Sequence, residues 1–266
     1  MDLIHLIILS IVQGITEFLP ISSSAHLVLF PKLMGWEDQG LVIDVAAHLG
    51  SLFAVVFYFR KDFGKILIDG LGQTFRINYT NDQHKLFWFI IIASIPALLV
   101  GFFFRDIISY YLRNPLVISF ATIFFGLLLW LSDKVGKQHR AISKIGKKDA
   151  LLIGFSQILA FIPGTSRSGI TITMGLFLGL DRETAVKFSF FLSVPIISAA
   201  ALFEFLNLIQ SDASIDISNF IVTVFLSTIS SFITIYLFLK FIDKIGMLPF
   251  VIYRMILGTL LLYLFI

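Results

Sequence analysis

Long apolar runs, each closed by a short cluster of charge, divide the chain. Runs near the ~20 residues that a helix needs to cross a bilayer extend from about Leu41 to Phe59, Leu86 to Phe104, Leu116 to Leu131, Ala185 to Leu206, Phe220 to Leu239 and Met247 to Ile266, which predicts six spans. Two further stretches, Leu3 to Leu33 and Ala150 to Leu180, are cut by Pro20-Ile-Ser-Ser-Ser and Pro163-Gly-Thr-Ser-Arg-Ser. Each breaks into two pieces of about a dozen residues, too short to cross, so each is expected to be a re-entrant helical hairpin with its tip at depth. The residue before a proline is pushed away from helical geometry, and a Ser or Thr just after it can cap the next helix. Each tip is therefore expected to be a helix N-terminus that carries hydroxyls.

Composition agrees with this pattern. A chain of 266 residues that is 58% hydrophobic and 14% charged has too little polar surface for a soluble globule of its size. The 30 Phe residues are assigned to packing. With no cysteine, disulfides and thiolate metal sites or nucleophiles are excluded. No cleavable signal peptide is expected, because Asp2 precedes the first apolar run and that run flows on without a small-residue cleavage site. The formal charge of +3 is modest and implies no nucleic-acid partner; its distribution says more.

Arg60, Lys61, Lys65, Arg76 and Lys85 follow the first span, and Lys134, Lys137, Arg140, Lys144, Lys147 and Lys148 follow the third. Arg182, Lys187, Lys240 and Lys244 fall on the same side, against Lys32, Arg105 and Arg113 on the other. That face is expected to be cytoplasmic, with the acidic connectors Glu37-Asp38 and Asp212 to Asp216 outside. The two longest polar segments, about Arg60 to Lys85 and Ser132 to Asp149, read as cytoplasmic connectors with room for short surface helices. Each half then reads as a hairpin plus three spans, in repeats of about 1–132 and 147–266 within a single integral-membrane domain, 1–266. Because three is odd, the second hairpin enters from the opposite face. The fold class expected is an all-α polytopic membrane protein with an inverted-topology repeat, whose hairpin tips can meet near the midplane.

Candidate chemistry gathers at the two breaks. Overlaid, Phe18 answers Phe161, Leu19 Ile162, Pro20 Pro163, Ser22 Thr165 and Ser23 Ser166. Glu17 is a carboxylate in a broken apolar segment, which is expensive unless it meets a partner or water; it is either part of a reactive site or a structural acid paired with Arg167. Gln13 lies one turn earlier on the same face, able to meet a substrate or to hold Glu17. Ser22, Ser23, Ser24, Ser166, Ser168 and Thr171 open the second helix of each hairpin. Alone they would be caps and packing residues, but two helix N-termini aimed at one spot, with Arg167 adding a planar fork, make an anion site. His26 shares a helical face with Ser22 and Ser23 and can exchange a proton with a hydroxyl or a leaving group; the plainer reading is a buried neutral histidine. His48, one turn after Asp44, carries a weaker signal. For Arg254, pairing or snorkelling is the expectation.

Gln13-x-x-x-Glu17 followed by Phe-Leu-Pro-Ile-Ser-Ser-Ser-Ala-His26 resembles the acidic motif, with its serine and histidine extension, of the bacterial undecaprenyl-diphosphatases, the bacitracin-resistance family. Pro163-Gly-Thr-Ser-Arg-Ser-Gly-Ile-Thr171 resembles that family's Pro-Gly-x-Ser-Arg-Ser-x-x-Thr motif, and the resemblance covers essentially the whole chain. It implies Glu17, His26 and Arg167 as the essential acid, histidine and arginine, Ser23 as the candidate nucleophile, and Ser166, Ser168 and Thr171 as phosphate contacts. Gln13 departs from the commonest form, a first glutamate, which weakens any role needing two carboxylates there.

The expected activity is hydrolysis of undecaprenyl diphosphate to undecaprenyl phosphate and inorganic phosphate in the cell membrane, recycling the carrier for cell-wall synthesis, with a site that opens outward. Arg167 and the helix ends would neutralise the phosphoryl oxygens. Ser23 or a water would attack with His26 as base, Gln13, Ser22 and Ser24 would contact the substrate, and Glu17 would orient His26 or hold a cation. A divalent cation, Mg or Ca, with Glu17 as the one motif ligand, and a homodimer stay open; no organic cofactor is expected. The rival class is a transporter or flippase of a lipid phosphate or another anion, since inverted repeats with broken helices also serve alternating access.

Overall fold

The computed structural model describes residues 3–36, 40–74, 82–112, 114–210 and 216–265. The expected connector Glu37-Asp38, the acidic stretch 212–215, and Arg76 and Arg113 lie outside them. Among the described residues eleven α-helices are formed: α1 Leu3–Thr16, α2 Ser23–Met34, α3 Gly40–Tyr58, α4 Arg60–Thr74, α5 Asp82–Leu112, α6 Pro115–Val135, α7 Lys147–Ser156, α8 Arg167–Phe177, α9 Arg182–Gln210, α10 Ile217–Ile245 and α11 Leu248–Phe265. Among the described residues there is no strand, only an isolated bridge between Arg140 and Leu180.

Six helices among the described residues are long and apolar enough to cross a membrane, with candidate spans Gly40–Tyr58, Gln83–Phe104, Pro115–Val135, Arg182–Asn207, Ile217–Ile245 and Leu248–Phe265. These are the six runs of the sequence. They are extended where the backbone ladder continues past the apolar stretch, as in α10 beyond Leu239 through Lys240 and Lys244. The polar connector after the first span contains α4, and that after the third contains a 3₁₀ turn at Ile142–Lys144.

Packing pairs the helices across the two halves: α3 with α10 and α5 with α9, α1 with α10 and α7 with α5, α6 with α11, and α3 with α9. Exchanging the halves maps each of these contacts onto another of the set or onto itself. The seam around α10 is built from small and hydroxylated residues, which lets helices approach closely in an apolar setting. Thr223, Ser227, Ser231 and Thr234 are buried along one face. Ser227 Oγ donates to the Ser10 carbonyl at 3.1 Å and Ser231 Oγ to Ser51 Oγ at 3.0 Å. A methyl group at Gly14 would overlap the Ser230 side chain, so α1 lies flush against α10 one turn before Glu17. That seating fixes the first break relative to the spans.

Carboxylates staple the basic rim. Asp133, at the end of α6, accepts Arg182 Nε at 2.7 Å and Nη2 at 3.1 Å, and the N–H of Met247 at 3.3 Å. Asp149 accepts Arg140 Nη1 at 3.0 Å and Nη2 at 2.5 Å and the N–H of Gly146 at 2.8 Å. Burial alone would raise the Asp149 carboxyl, but the Arg140 fork and the Gly146 N–H outweigh it and hold the carboxyl below the ordinary carboxylate value.

Candidate active site

The two breaks carry the same local device. Ser22 and Ser166, which precede α2 and α8, have left-handed backbones with φ of 74° and 71°, a conformation that costs a non-glycine residue about 1–3 kcal/mol and persists where the surroundings enforce it. Ser166 Oγ accepts the N–H of Gly169 at 3.1 Å, and Ser22 Oγ accepts that of Ala25 at 3.4 Å. Ser22 Oγ also pairs with Ser24 Oγ at 3.2 Å, as Ser166 Oγ does with Ser168 Oγ at 3.1 Å.

This match moves the overlay by one residue. Pro20 and Pro163 are 143 positions apart, but Ser22 and Ser166 are 144 apart. The shift follows Pro163, where Gly164 has a φ of 94° and lies so close to α6 that a Cβ would meet the Ile118 carbonyl and Thr122 Oγ1. Ser22 therefore answers Ser166, not Thr165. Ser23 answers Arg167, not Ser166, and both are the first residue of their helix.

Those two first residues converge on Glu17. Ser23 Oγ donates to Glu17 Oε2 at 2.8 Å, and Arg167 Nη2 donates to Glu17 Oε1 at 2.9 Å. Gln13 Nε2 donates to Oε2 at 3.1 Å from one turn back on α1, and His48 Nε2 lies 3.8 Å from the same oxygen. His48 Nδ1 is bonded to the Asp44 carbonyl at 2.8 Å, which aims Nε2 at the carboxylate. Arg167 Nη1 donates to the Ser189 carbonyl at 3.2 Å. Glu17 and Arg167 have little exposure, with side chains 7% and 12% accessible. Removing either would leave a largely buried charge without its partner, at a cost of about 3–5 kcal/mol.

Of the other expected contacts, Ser168 Oγ donates to the Leu19 carbonyl at 3.0 Å and so ties the second break to the first. Thr171 Oγ1 meets Ser189 Oγ at 2.7 Å and donates to the Arg167 carbonyl at 2.9 Å, backing the arginine. Ser22 and Ser166 spend their hydroxyls as caps, whereas Ser24 is exposed and Ser23 half-buried.

The expected pairing of Ser23 with His26 does not form. His26 Nδ1 is bonded to the Ser22 carbonyl at 2.7 Å and Nε2 to the Tyr253 hydroxyl at 2.5 Å, so both nitrogens are engaged away from Ser23. A shared helical face sets which side chains are neighbours, but backbone and α11 partners decide where the imidazole turns. The proton acceptor in contact with Ser23 is Glu17.

Arg254 also departs from expectation. It neither snorkels nor pairs with an acid; its side chain is fully buried and gives all five of its hydrogen bonds to backbone carbonyls. Nε donates to Thr122 at 3.0 Å, Nη1 to Pro20 at 3.2 Å and Thr165 at 2.9 Å, and Nη2 to Gly164 at 2.9 Å and Ala121 at 3.5 Å. One guanidinium thus binds both breaks to each other and to α6. Residue type and depth mark Arg254 in the sequence, but nothing there singles out Tyr253, and His48 is only faintly marked by the acid one turn before it.

Glu17 is the carboxylate of the cluster, its two oxygens are taken by Gln13, Ser23 and Arg167, and among the described residues no group of three or more acidic or histidine side chains is disposed to hold a metal.

Comparison with known proteins agrees over nearly the full length. The chain is 50% identical over 259 residues to Undecaprenyl-diphosphatase 1 of Pseudoalteromonas translucida (strain TAC 125), covering 97% of each chain. It is 52% identical over 268 residues to Undecaprenyl-diphosphatase 2 of Stutzerimonas stutzeri (strain A1501), covering 100% of this chain and 99% of that one. With the Undecaprenyl-diphosphatase of Teredinibacter turnerae (strain ATCC 39867 / T7901) the identity is 49% over 261 residues, 98% of both. Residues 6–260 match the family described as Bacitracin resistance protein BacA, and at this coverage the chain belongs to that family.

Proposed function

We propose that this multi-pass membrane protein hydrolyses undecaprenyl diphosphate to undecaprenyl phosphate and inorganic phosphate at the cluster centred on Glu17. The observation that carries the reading is the contact of Ser23 and Arg167, the first residues of α2 and α8, with the two oxygens of one carboxylate. A phosphoryl group at that point meets two helix N-termini, whose first N–H groups have no helical acceptor, and the Arg167 fork, which suits paired phosphate oxygens. Ser23 Oγ attacks the terminal phosphorus and its proton passes to Glu17 Oε2. The bond from phosphorus to the bridging oxygen breaks, and undecaprenyl phosphate leaves with the electron pair. Water then attacks the phosphorus of the phosphoserine, the bond to Ser23 Oγ breaks as Oγ recovers the proton held on Glu17, and inorganic phosphate leaves carrying both hydrogens of the water. Positioning and fixed charge supply most of the acceleration, and a divalent cation would arrive with the diphosphate rather than reside in the protein.

The relatives' names favour this over transport, and a prenyl tail that stays in lipid while its diphosphate meets water suits a site between broken helices. Purified protein in detergent, without any gradient, should release phosphate from a long-chain prenyl diphosphate. Arg167→Lys should lose about a hundredfold in turnover, in the range of one lost preorganised donor, since an ammonium cannot hold two oxygens at once. No release by the wild type, or near-normal release by the lysine variant, counts against the reading.

In this proposal the protein resides in the cell membrane with its basic loops in the cytoplasm, the two breaks are re-entrant tips of an inverted repeat, and the site opens outward. Reporter fusions at Lys65 and Lys144 should report a cytoplasmic location and a fusion after Phe265 an external one. A cytoplasmic C-terminus would sink the inverted arrangement.

A further inference from the structure

His26 and Tyr253 meet across 227 positions of chain. A backbone carbonyl can only accept, so the His26 Nδ1 that lies 2.7 Å from the Ser22 carbonyl carries the hydrogen. In the neutral ring Nε2 then offers a lone pair, and the Tyr253 hydroxyl at 2.5 Å donates to it. The two rings lie 11° from parallel with centroids 5.6 Å apart, so the plane of the imidazole is held as well as its tautomer. Both ends of the pair are anchored. Ser22 is the left-handed capping residue before α2, and Tyr253 precedes Arg254, whose bonds to Pro20, Gly164 and Thr165 fix that turn of α11 against both breaks.

We propose that Tyr253 is a positioning residue: its hydroxyl holds His26 as the neutral Nδ1–H tautomer, His26 holds the Ser22 carbonyl, and that carbonyl sets the first turn of α2 on which Ser23 meets Glu17. Tyr253 acts through His26 and not on the phosphoryl group. The kinetic part of this inference rests on the phosphatase reading above; the tautomer part does not. Small displacements of an attacking group lower the rate of the chemical step more than binding. Tyr253→Phe keeps the ring and removes only the donor.

The test combines kinetics with nitrogen NMR of protein labelled at histidine, the His26 signals being identified by their loss in His26→Ala. Tyr253→Phe is expected to lower kcat about tenfold with KM within twofold, and the Tyr253→Phe/His26→Ala pair to be no slower than His26→Ala alone, because the two act as a unit. The wild-type Nε2 signal should be that of an unprotonated nitrogen accepting a hydrogen bond, and Tyr253→Phe should move it. An unmoved Nε2 signal, losses that multiply in the double variant, or an effect confined to KM would overturn the proposal. Should the wild type release no phosphate, the phosphatase reading fails on its own while the NMR comparison still decides the role of Tyr253.

Discussion

Replacing Arg254 with leucine is expected to leave no folded protein. The substitution removes five hydrogen bonds at once; the Ala121 and Thr122 carbonyls keep their partners in the α6 ladder, but those of Pro20, Gly164 and Thr165, at the breaks, lose the guanidinium in the interior. A buried acceptor left without a donor costs about 1–3 kcal/mol, so three of them together cost about 3–9 kcal/mol, which rivals the ~5–15 kcal/mol that holds a domain together. Arg254→Lys should fare little better, because one ammonium with three hydrogens cannot span carbonyls that the planar guanidinium reaches from three nitrogens. Size-exclusion profiles and thermal unfolding in detergent provide the measurement. A monodisperse leucine variant melting within a few degrees of wild type would show that the carbonyls are satisfied without the guanidinium.

The second large effect is catalytic, although the loss of the Arg167 counter-charge also takes about 3–5 kcal/mol from stability. Glu17→Gln preserves the shape of the side chain, and its amide oxygen can still accept from Ser23 or Arg167, but it can no longer take the proton of an attacking hydroxyl. Turnover should fall by about 10²–10⁴-fold, the usual worth of a positioned general base. KM should not rise, since Arg167 loses its counter-charge and faces the phosphoryl group unopposed. Acid-quenched samples of wild type should contain phosphoserine at Ser23, and the Glu17→Gln samples should accumulate it far more slowly. Turnover within threefold of wild type would reduce Glu17 to a counter-ion for Arg167.

What can be read from the sequence and what cannot differ in physical kind. The six spans are legible because apolar runs of bilayer length leave a strong signal, and only helix ends such as that of α10, which continue into polar sequence, fall elsewhere than the runs suggest. The two breaks are legible because a proline followed by hydroxyls interrupts the backbone ladder inside a run where lipid offers the freed groups no partner. The chain gives no sign of the one-residue shift that matches Ser22 to Ser166, since the left-handed φ of those serines is a property of the folded backbone. Helical spacing puts His26 beside Ser23, yet its partners are a carbonyl four residues back and a tyrosine on the last helix. Arg254 is conspicuous as a charge in an apolar run, but its acceptors are main-chain atoms, which every residue type possesses alike.

The reach of Arg254 also bears on how the protein is made. Pro20 and Arg254 are 234 positions apart in the chain, and translation at about 5–20 residues per second separates their appearance by something like ten to fifty seconds. Throughout that interval the Pro20 carbonyl at the first break lacks the donor that will satisfy it, and an unsatisfied carbonyl is costly in hydrocarbon. The first break therefore has reason to wait in contact with water or with the insertion machinery, and to be locked in only when the last helix arrives. Biogenesis would then run in an order opposite to the text of the gene, with the earliest segment made among the last to be locked in place.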